Sequence, residues 1–374
     1  MNKIPLIKPE IPLAPTIKEI KRAFESGILT KGPNVLAFEK MIAKYVGTKY
    51  AFSTTSATTA LHLSLVAMGV KQGDEVLVSD FTFPATANIV VQAGATPVLV
   101  DINLDTFNIN FSDLEKKITP KTKAIICVDA FGNPINMKVL MGIAKKHNLK
   151  VIEDAACALG SRFGSNMSGG LADAGCFSFH PRKSITTGEG GMIVANDDSL
   201  AEKISILRNH GGVLDEQLGY SQFVEAGFNY RMSEVQAIMG ISQMKIIEKI
   251  IKVRILIAEK YLKMLSGVKG ITLPILKKGA RHTFQSFVVL LDKNIDRDLV
   301  IKKMRSKGIE TTLGTYALHA QPFFMRQYGY KAGNLNNSYT AFRQSLTLPL
   351  FGKLSDADLK YICASLIDCI KYND

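Results

Sequence analysis

Short apolar runs alternate with amphipathic stretches through the first half of the chain. This alternation is typical of parallel strands joined by helices, because a strand buried on both faces is apolar throughout and a covering helix buries one stripe. The runs that predict strands lie at residues 50–53, 76–79, 97–100, 124–128 and 150–153. We therefore expect an α/β fold with a mostly parallel central sheet flanked by helices.

Capping patterns and glycines predict where the helices between these strands begin and end. Thr16 and Glu19 form a capping-box pattern, which predicts a helix start there, and Gly27 predicts the end of that helix. Two further helices are expected at residues 33–47 and 57–68.

The second half of the chain has a different pattern. Residues 233–266 form one amphipathic stretch, which predicts a long helix with a kink near Gly240. After it we expect a strand at 284–291, a helix at 296–306 and a terminal helix capped at Ser355. These elements predict a small α+β domain entered through the long helix.

The chain has 374 residues, which is the length of about two ordinary domains. We predict a large domain at residues 1–240, including the N-terminal segment, and a smaller C-terminal domain at residues 241–374. Hydrophobic residues make up 47% of the chain, enough for a sizeable core. No run is long and apolar enough to predict a membrane span, and the proline-rich start predicts no cleaved secretory signal.

The charge is the strongest bulk feature, because 46 Lys and Arg against 33 Asp and Glu give a net charge of +13. Such an excess can indicate binding to nucleic acid or an anionic membrane. Residues 245–310 hold 16 basic and 6 acidic side chains, so most of the excess lies there. This region is either a solvated surface or a wall that faces an anionic small molecule, and we favour the solvated surface.

The cysteines are scattered along the chain and form no CxxC pair; they are Cys127, Cys157, Cys176, Cys363 and Cys369. An odd, scattered set suits a reducing cytoplasm better than a disulfide framework. No pair of Cys or His has ligand spacing near a second pair, so we expect no metal site of the zinc type.

Acidic side chains follow four of the predicted strands. Asp80, Asp101 and Asp129 come after three of them, and Glu153 and Asp154 end the fourth. The carboxyl ends of parallel strands line the crevice where ligands bind, so one of these acids is a candidate functional residue, although most such acids cap helices or face solvent. The two alanines after Asp154 leave room for a flat ligand.

Three more segments carry candidate chemistry. Small residues at 55–58 suit a phosphate at a helix start, although an ordinary N-cap at Ser56 explains them better when they are taken alone. Lys183 precedes a glycine-rich loop, and a desolvated lysine can act as a nucleophile or form a Schiff base, although most lysines are solvated. The loop at 227–232 offers an amide, a phenol and a guanidinium, which can bind an acid or simply cap the next helix.

Taken together, these segments resemble the DegT/DnrJ/StrS family of sugar aminotransferases, which use pyridoxal 5′-phosphate (PLP) and have the aspartate-aminotransferase fold, fold type I. Each motif is weak alone, but the ordered set is specific and runs nearly from end to end. The motifs are LTKGP (29–33), GDEV (73–76), DFTF (80–83), FGNP (131–134), EDAA (153–156), FSFHP followed by Lys183 (177–183), GEGG (188–191), GFNYRM (227–232) and HAQP (319–322).

The resemblance implies roles for particular residues. Lys183 would hold PLP as an internal aldimine and move a proton between the substrate and the cofactor, and Asp154 would pair with the pyridinium nitrogen. Phe83 would stack on the ring. The phosphate would be held by Ala57, Thr58, Ser178 and, from the neighbouring subunit, Asn229, which implies a homodimer with shared active sites. Substrate binding would involve Thr30, Tyr230, Arg231, Tyr316 and His319.

On this resemblance we expect an enzyme that moves an amino group from L-glutamate to a keto sugar of a nucleoside diphosphate, through pyridoxamine phosphate (PMP). A 4-keto-6-deoxyhexose is the expected sugar, with a 3-keto sugar or a cyclitol ketone left open. A non-catalytic sensor of sugar or cofactor on the same fold is also open, although the presence of every catalytic position counts against it. We expect a cytoplasmic protein that binds neither nucleic acid nor membrane.

Two positions depart from the usual pattern of the family. Cys157 stands where the family usually has Gln or His beside the ring hydroxyl, and a thiol is a poor hydrogen-bond donor, so the lysine–cofactor bond is expected to be tuned differently. Asn136 replaces a usual aspartate, with an effect expected only on the loop. The presence of Lys183 argues against the branch that carries histidine there and catalyses dehydration.

Overall fold

The structure is a computed structural model, and it describes residues 3–371. Numbered in chain order, its helices are α1 (Leu13–Ser26), α2 (Pro33–Val46), α3 (Ala57–Ala67), α4 (Ala85–Gln92), α5 (Phe111–Lys116), α6 (Met137–Lys146), α7 (Asp198–Arg208), α8 (Glu234–Met244), α9 (Ile247–Leu265), α10 (Arg297–Ser306), α11 (Pro322–Tyr328), α12 (Asn336–Gln344) and α13 (Asp356–Lys371). No helix within residues 3–371 combines the length and the apolar character needed to cross a membrane.

The strands are likewise numbered in chain order. They are β1 (Tyr50–Thr54), β2 (Glu75–Ser79), β3 (Phe81–Thr82), β4 (Thr96–Val100), β5 (Thr122–Val128), β6 (Lys150–Asp154), β7 (Arg162–Phe163), β8 (Asn166–Met167), β9 (Ala174–Ser178), β10 (Gly191–Ala195), β11 (Gly212–Asp215), β12 (Tyr220–Phe223), β13 (Ile271–Thr272), β14 (Ala280–Arg281), β15 (Phe287–Leu291), β16 (Thr312–Leu313), β17 (Tyr316–Ala317) and β18 (Ser345–Leu348).

The central sheet has seven strands in the order β1-β10-β9-β6-β5-β2-β4. The five strands β9, β6, β5, β2 and β4 are parallel to one another, and β10 runs antiparallel to its neighbours β1 and β9. Helices cover both faces of this sheet. The mostly parallel α/β fold predicted from the sequence is therefore confirmed, and the strands at 50–54 through 150–154 lie where the apolar runs predicted them.

The residues of each inner strand alternate between the two covered faces. Leu77, Ile125 and Val151 pack with residues of α5 and α6 on one face. Their neighbours Val78 and Ile126 pack with residues of α3, α4 and α7 on the other face. Because both faces are buried, these strands are apolar at every position, which is why the sequence pattern found them.

A second, four-stranded antiparallel sheet has the order β13-β15-β18-β16. Its core takes residues from Ile257 onward together with Ile4 from the N-terminal segment. The amide of Ile4 donates to the Gly308 carbonyl at 2.8 Å, and the Leu350 amide donates to the Leu6 carbonyl at 3.1 Å. The N-terminal segment therefore packs against this second sheet. The division into two domains between residues 240 and 241 stays a proposal.

The predicted start of the first helix is wrong. α1 begins at Leu13, and Thr16 lies inside its first turn, where its hydroxyl donates to the Pro12 carbonyl at 2.7 Å instead of accepting from an amide. The predicted end is right, because Gly27 has a positive φ of 71° and its amide closes the last turn.

The predicted long helix is two helices, and the interruption is not at Gly240. α8 ends at Met244 and α9 begins at Ile247. Gly240 lies within α8, and only glycine fits there because a side chain would collide with the ring of Phe38 from α2. The predicted cap of the terminal helix is confirmed, since the Asp358 amide donates to Ser355 Oγ at 3.1 Å.

Candidate active site

A cavity of about 620 Å³ lies at the carboxyl edge of the central sheet. Strands β5, β6 and β9 end at its wall, and α3 begins there directly after β1. Open α/β sheets bind ligands at this edge. Of the residues predicted for the site, the cavity brings together Ala57, Thr58, Phe83, Asp154, Cys157, Ser178 and Lys183.

Lys183 lies in a turn after β9, where its amide donates to the His180 carbonyl at 2.9 Å. Its side chain is half-buried, and Nζ donates to Cys157 Sγ at 3.1 Å. The loop that carries Cys157 follows β6, so the ends of two neighbouring parallel strands bring the amine and the thiol together. The amine is thus held at the cavity wall.

Asp154 ends β6 and is only 6% exposed. One carboxylate oxygen, Oδ2, accepts from Thr86 Oγ1 at 2.8 Å, and Oδ1 accepts from the Ala156 amide at 3.2 Å. Burial raises the pKa of Asp154, while these two hydrogen bonds and the charge of Lys183 oppose the rise. A carboxylate buried in this way is stabilised by a cationic partner.

The start of α3 forms a cradle for an anion. Ser56 caps the helix, since its hydroxyl accepts from the Thr59 amide at 3.2 Å. Within residues 3–371 the amides of Ala57 and Thr58 donate to no protein acceptor, and the positive end of the helix dipole lies there. A side chain at Gly191 would collide with the Ser56 carbonyl, so glycine at this position lets β10 approach the cradle.

Phe83 provides an aromatic surface at the cavity, and its side chain is 65% exposed. The ring of Tyr316 lies 6.4 Å from it, because β17 pairs with β3 and sets Tyr316 opposite Thr82. An exposed phenylalanine at the wall of a cavity can stack on a flat ring.

These groups fit the PLP that the sequence resemblance implies. A primary amine, a buried carboxylate, an aromatic face and a helix start with free amides match the aldehyde, the ring nitrogen, the ring face and the phosphate of that cofactor. Lys183, Asp154, Phe83, Ala57 and Thr58 would hold it. The individual assignments stay predictions.

Six of the predicted residues do not line the cavity: Tyr316 and His319, and a group of four that lie close to one another. Arg231 donates to Asn209 Oδ1 at 2.5 Å, Asn229 pairs with Asn209 through the backbone, and Thr30 pairs with Ser233. Tyr230 completes the group, and its hydroxyl lies 3.3 Å from His62 Nδ1. The chain alone therefore does not bring these residues to Lys183.

His319 has no atom free for a substrate. The ring is fully buried, with Nδ1 2.6 Å from Asp80 Oδ2 and Nε2 2.9 Å from the Ala332 carbonyl. Burial lowers the pKa of His319, the carboxylate of Asp80 raises it, and the net shift is upward. The ring ties residues 318–320 to the end of β2, and its predicted contact with substrate has no support in this geometry.

Several residues at the cavity were not singled out from the sequence. His180 and Arg182 belong to the motif that carries Lys183, so the motif itself is the signal that could have found them. Thr86 and Gln285 have no local signal, because they reach the cavity only through tertiary packing of α4 and of the second sheet. The other strand-end acids serve elsewhere; Asp101, for example, accepts from the Ser338 amide at the start of α12.

Comparison with known proteins agrees with this geometry. The model of the DegT/DnrJ/EryC1/StrS aminotransferase family matches residues 14–367. GDP-perosamine synthase of Caulobacter vibrioides is 40% identical over 343 residues, which cover 91% of each chain.

Solved structures show the same fold. PseC of Helicobacter pylori, an aminotransferase of pseudoaminic acid biosynthesis, superposes with a TM-score of 0.93 at 27% identity, covering 99% of this chain and 100% of that one. Spr1654 of Streptococcus pneumoniae, solved in a PLP form and a PMP form, also gives a TM-score of 0.93 for the PLP form, at 27% identity and with 99% of both chains covered. The chain therefore belongs to the DegT/DnrJ/EryC1/StrS aminotransferase family and is a PLP-dependent sugar aminotransferase.

Proposed function

We propose that the enzyme transfers an amino group from L-glutamate to a 4-keto-6-deoxyhexose linked to a nucleoside diphosphate. The observation that carries the proposal is the cavity in which the Lys183 amine, the Asp154 carboxylate and the start of α3 meet. Glutamate as the donor rests on the family resemblance. The nucleotide-linked sugar as the acceptor is supported by the name of the Caulobacter relative, GDP-perosamine synthase.

The cavity residues divide the chemistry among them. When bound, PLP supplies an electron-accepting ring that stabilises charge on the carbon that loses its proton. Nζ of Lys183 would remove and return that proton, and Asp154 would keep a proton on the ring nitrogen beside it. The amides at the start of α3 would bind the phosphate and so fix the position of the ring against Phe83.

The apolar part of the cavity lining supports a deoxy sugar. Leu6, Ile7, Leu348 and Leu350 line this part of the cavity, and they come from the N-terminal segment and the second sheet. These four side chains favour contact with a methyl group, and none of them can form a hydrogen bond with a hydroxyl. A 6-deoxyhexose therefore suits this wall better than a hexose with a 6-hydroxyl.

A panel of acceptors tests the proposal. The holoenzyme is incubated with glutamate and with 4-keto-6-deoxyhexoses linked to GDP, dTDP and UDP, beside a 3-keto sugar and a cyclitol ketone, and the products are identified by mass and NMR. We expect an aminated product from at least one 4-keto sugar. Amination of only the 3-keto sugar or the cyclitol would refute the proposed substrate and leave the aminotransferase assignment intact.

We also propose that two copies of the chain share their active sites. Apolar side chains stand exposed on α1, on the loop before α2 and on the β11–β12 hairpin; they include Leu13, Ile17, Phe24, Leu29, Leu214 and Phe223. So much exposed apolar surface favours a protein partner. A second copy is supported because Asn229 and Arg231 lie outside the cavity of their own chain, near this surface, and would complete the cavity of the partner.

A further inference from the structure

The backbone of Arg182, the residue before Lys183, is held from two sides. Its amide donates to His180 Nδ1 at 3.2 Å, and its carbonyl accepts from Gln285 Nε2 at 2.6 Å. The Gln285 carbonyl in turn accepts from the buried Arg254 at 2.5 Å. The position of Arg182 at the cavity wall is therefore set by the second sheet as well as by its own loop.

The guanidinium of Arg182 is a cation without a partner. Within residues 3–371 it makes no ion pair or hydrogen bond, whereas Arg208 pairs with Glu39 and Arg281 pairs with Glu248. Among the described residues that line the cavity, only two are carboxylates. Asp154 is bound by Thr86 and the Ala156 amide, and within residues 3–371 Glu189 forms no ion pair or hydrogen bond with the guanidinium.

Arg182 is exposed and lines the cavity, and a guanidinium there can bind two oxygens of an oxyanion through two parallel hydrogen bonds. Both substrates of the proposed reaction bring such a group, a carboxylate in glutamate and a phosphate in the nucleotide sugar. The hydroxyls of Ser286, Thr312 and Thr315 line the same cavity and can add neutral hydrogen bonds. Burial lowers the pKa of the nearby His180 ring.

We propose that Arg182 binds an oxyanion of the substrate, a carboxylate or a phosphate, beside the reacting amine. This inference rests on the proposed function, because that function names the two anionic substrates. It adds a binding residue to the cavity that acts on the substrate and not on the cofactor.

Two binding measurements on the holoenzyme test the inference and separate the sources of the oxyanion. The first follows the loss of PLP absorbance as glutamate is added, which gives the apparent affinity for the donor without any sugar. The second measures the binding of GDP, dTDP and UDP by calorimetry. The variants are Arg182→Gln, which removes the charge, and Arg182→Lys, which keeps the charge and loses the fork. Arg326→Gln, on the exposed surface of α11, is the matched control.

We expect Arg182→Gln to weaken one of the two affinities by about ten- to a hundredfold, as for a lost charge-assisted pair, with Arg182→Lys in between and the control unchanged. Weaker glutamate binding identifies a carboxylate, and weaker nucleotide binding identifies a phosphate. Unchanged affinities in both measurements, with normal PLP content, would overturn the inference and leave the proposed function standing. A wild-type enzyme that neither reacts with glutamate nor binds a nucleotide would refute both.

Discussion

At the scale of single residues, Asp154 and Lys183 differ in burial and in the partners that surround them. Asp154 is buried and its pKa is raised, so a cation at the ring nitrogen would stabilise its charged form. Lys183 is half-buried, and within residues 3–371 the only hydrogen-bond partner of its amine is a thiol, which leaves the amine free to form a covalent bond. The geometry thus suits Asp154 to pairing with a cation and Lys183 to covalent reaction.

Replacing Lys183 by Ala should abolish turnover. The variant loses both the amine that bonds to the cofactor and the base that moves the proton, so we expect the rate to fall by at least about a thousandfold. It should also lose the yellow colour that borohydride bleaches in the wild-type enzyme. Lys121→Ala, on the exposed turn before β5, is the control. A Lys183→Ala enzyme with full turnover would refute the assigned role.

Cys157 should be the first thiol to react in the native protein. It is half-exposed at the cavity, whereas the other four cysteines are buried. Without cofactor we expect the thiol reagent DTNB to modify one thiol rapidly, and bound PLP should slow the reaction because the ring would then cover Cys157. Cys157→Ser should remove the rapid phase and keep turnover within about tenfold of wild type. Equal rates with and without PLP would place Cys157 away from the cofactor.

At the scale of secondary structure elements, β5 and β6 bring two carboxyls together beneath the site. Asp129 follows β5 and Glu153 lies in β6, and both are fully buried. Burial raises the pKa of Asp129 to about 6. Burial and the charge of Asp129 raise the pKa of Glu153 well above its ordinary value. The folded protein therefore holds protons here that the unfolded chain releases.

This pair predicts a stability that falls as the pH rises. Between the unfolded pKa of 3.8 and the folded pKa of about 6, the folded state binds more protons at Asp129, so the free energy of unfolding decreases with pH. We expect a loss of about 2 kcal/mol across this window in the protein without cofactor. Glu153→Gln removes the titration of Glu153 and should make the slope shallower, while the part due to burial of Asp129 remains; Glu202→Gln on the surface should leave the slope unchanged. Urea unfolding from pH 4.5 to 7.5 measures the slopes, and an equal slope in Glu153→Gln would contradict the pairing.

The sequence predicted the elements whose own residues determine them. The inner strands are apolar on both faces, and glycines such as Gly27 end helices in a conformation that other residues resist. The start of α1 and the break between α8 and α9 depend on packing against other helices, so the local pattern misplaced both. A capping pattern at Thr16 shows only that a cap is possible there.

The candidate site was predictable where chemistry and chain order coincide. Asp154 and Ser178 end neighbouring parallel strands and Lys183 follows the second of them, so the family motifs that named them lie at one edge of the sheet. Thr86 supports Asp154 from 68 positions away in the chain, and Gln285 holds Arg182 from 103 away. Such contacts depend on how α4 and the second sheet pack, which no local pattern contains.

At the scale of the whole molecule, the cavity joins parts of the chain that are far apart in sequence. The central sheet supplies the amine and the carboxylate, and the N-terminal segment and the second sheet supply the apolar wall. The loop with Asn229 and Arg231 lies outside this cavity; it follows the β11–β12 hairpin and leads into α8, whose Glu234 amide donates to the carbonyl of the exposed Leu29 at 3.0 Å. The chain alone is therefore missing a part of the site that its own sequence motifs predict.

Mixed dimers test whether a second copy supplies that part. We expect the protein to be a dimer by light scattering, and both Lys183→Ala and Asn229→Ala to be inactive or strongly impaired as pure proteins. When the two variants are unfolded together and refolded, half of the dimers are hybrids. In each hybrid one of the two sites has both wild-type residues if Asn229 acts on the partner's cavity, so about a quarter of the wild-type activity should return. Lys183→Ala refolded with Lys183→Ala is the control. If Asn229 acted within its own chain, both sites of every hybrid would be defective, because one site would lack Lys183 and the other would lack Asn229. No activity would then return, and this result would refute the shared site even if the protein is a dimer.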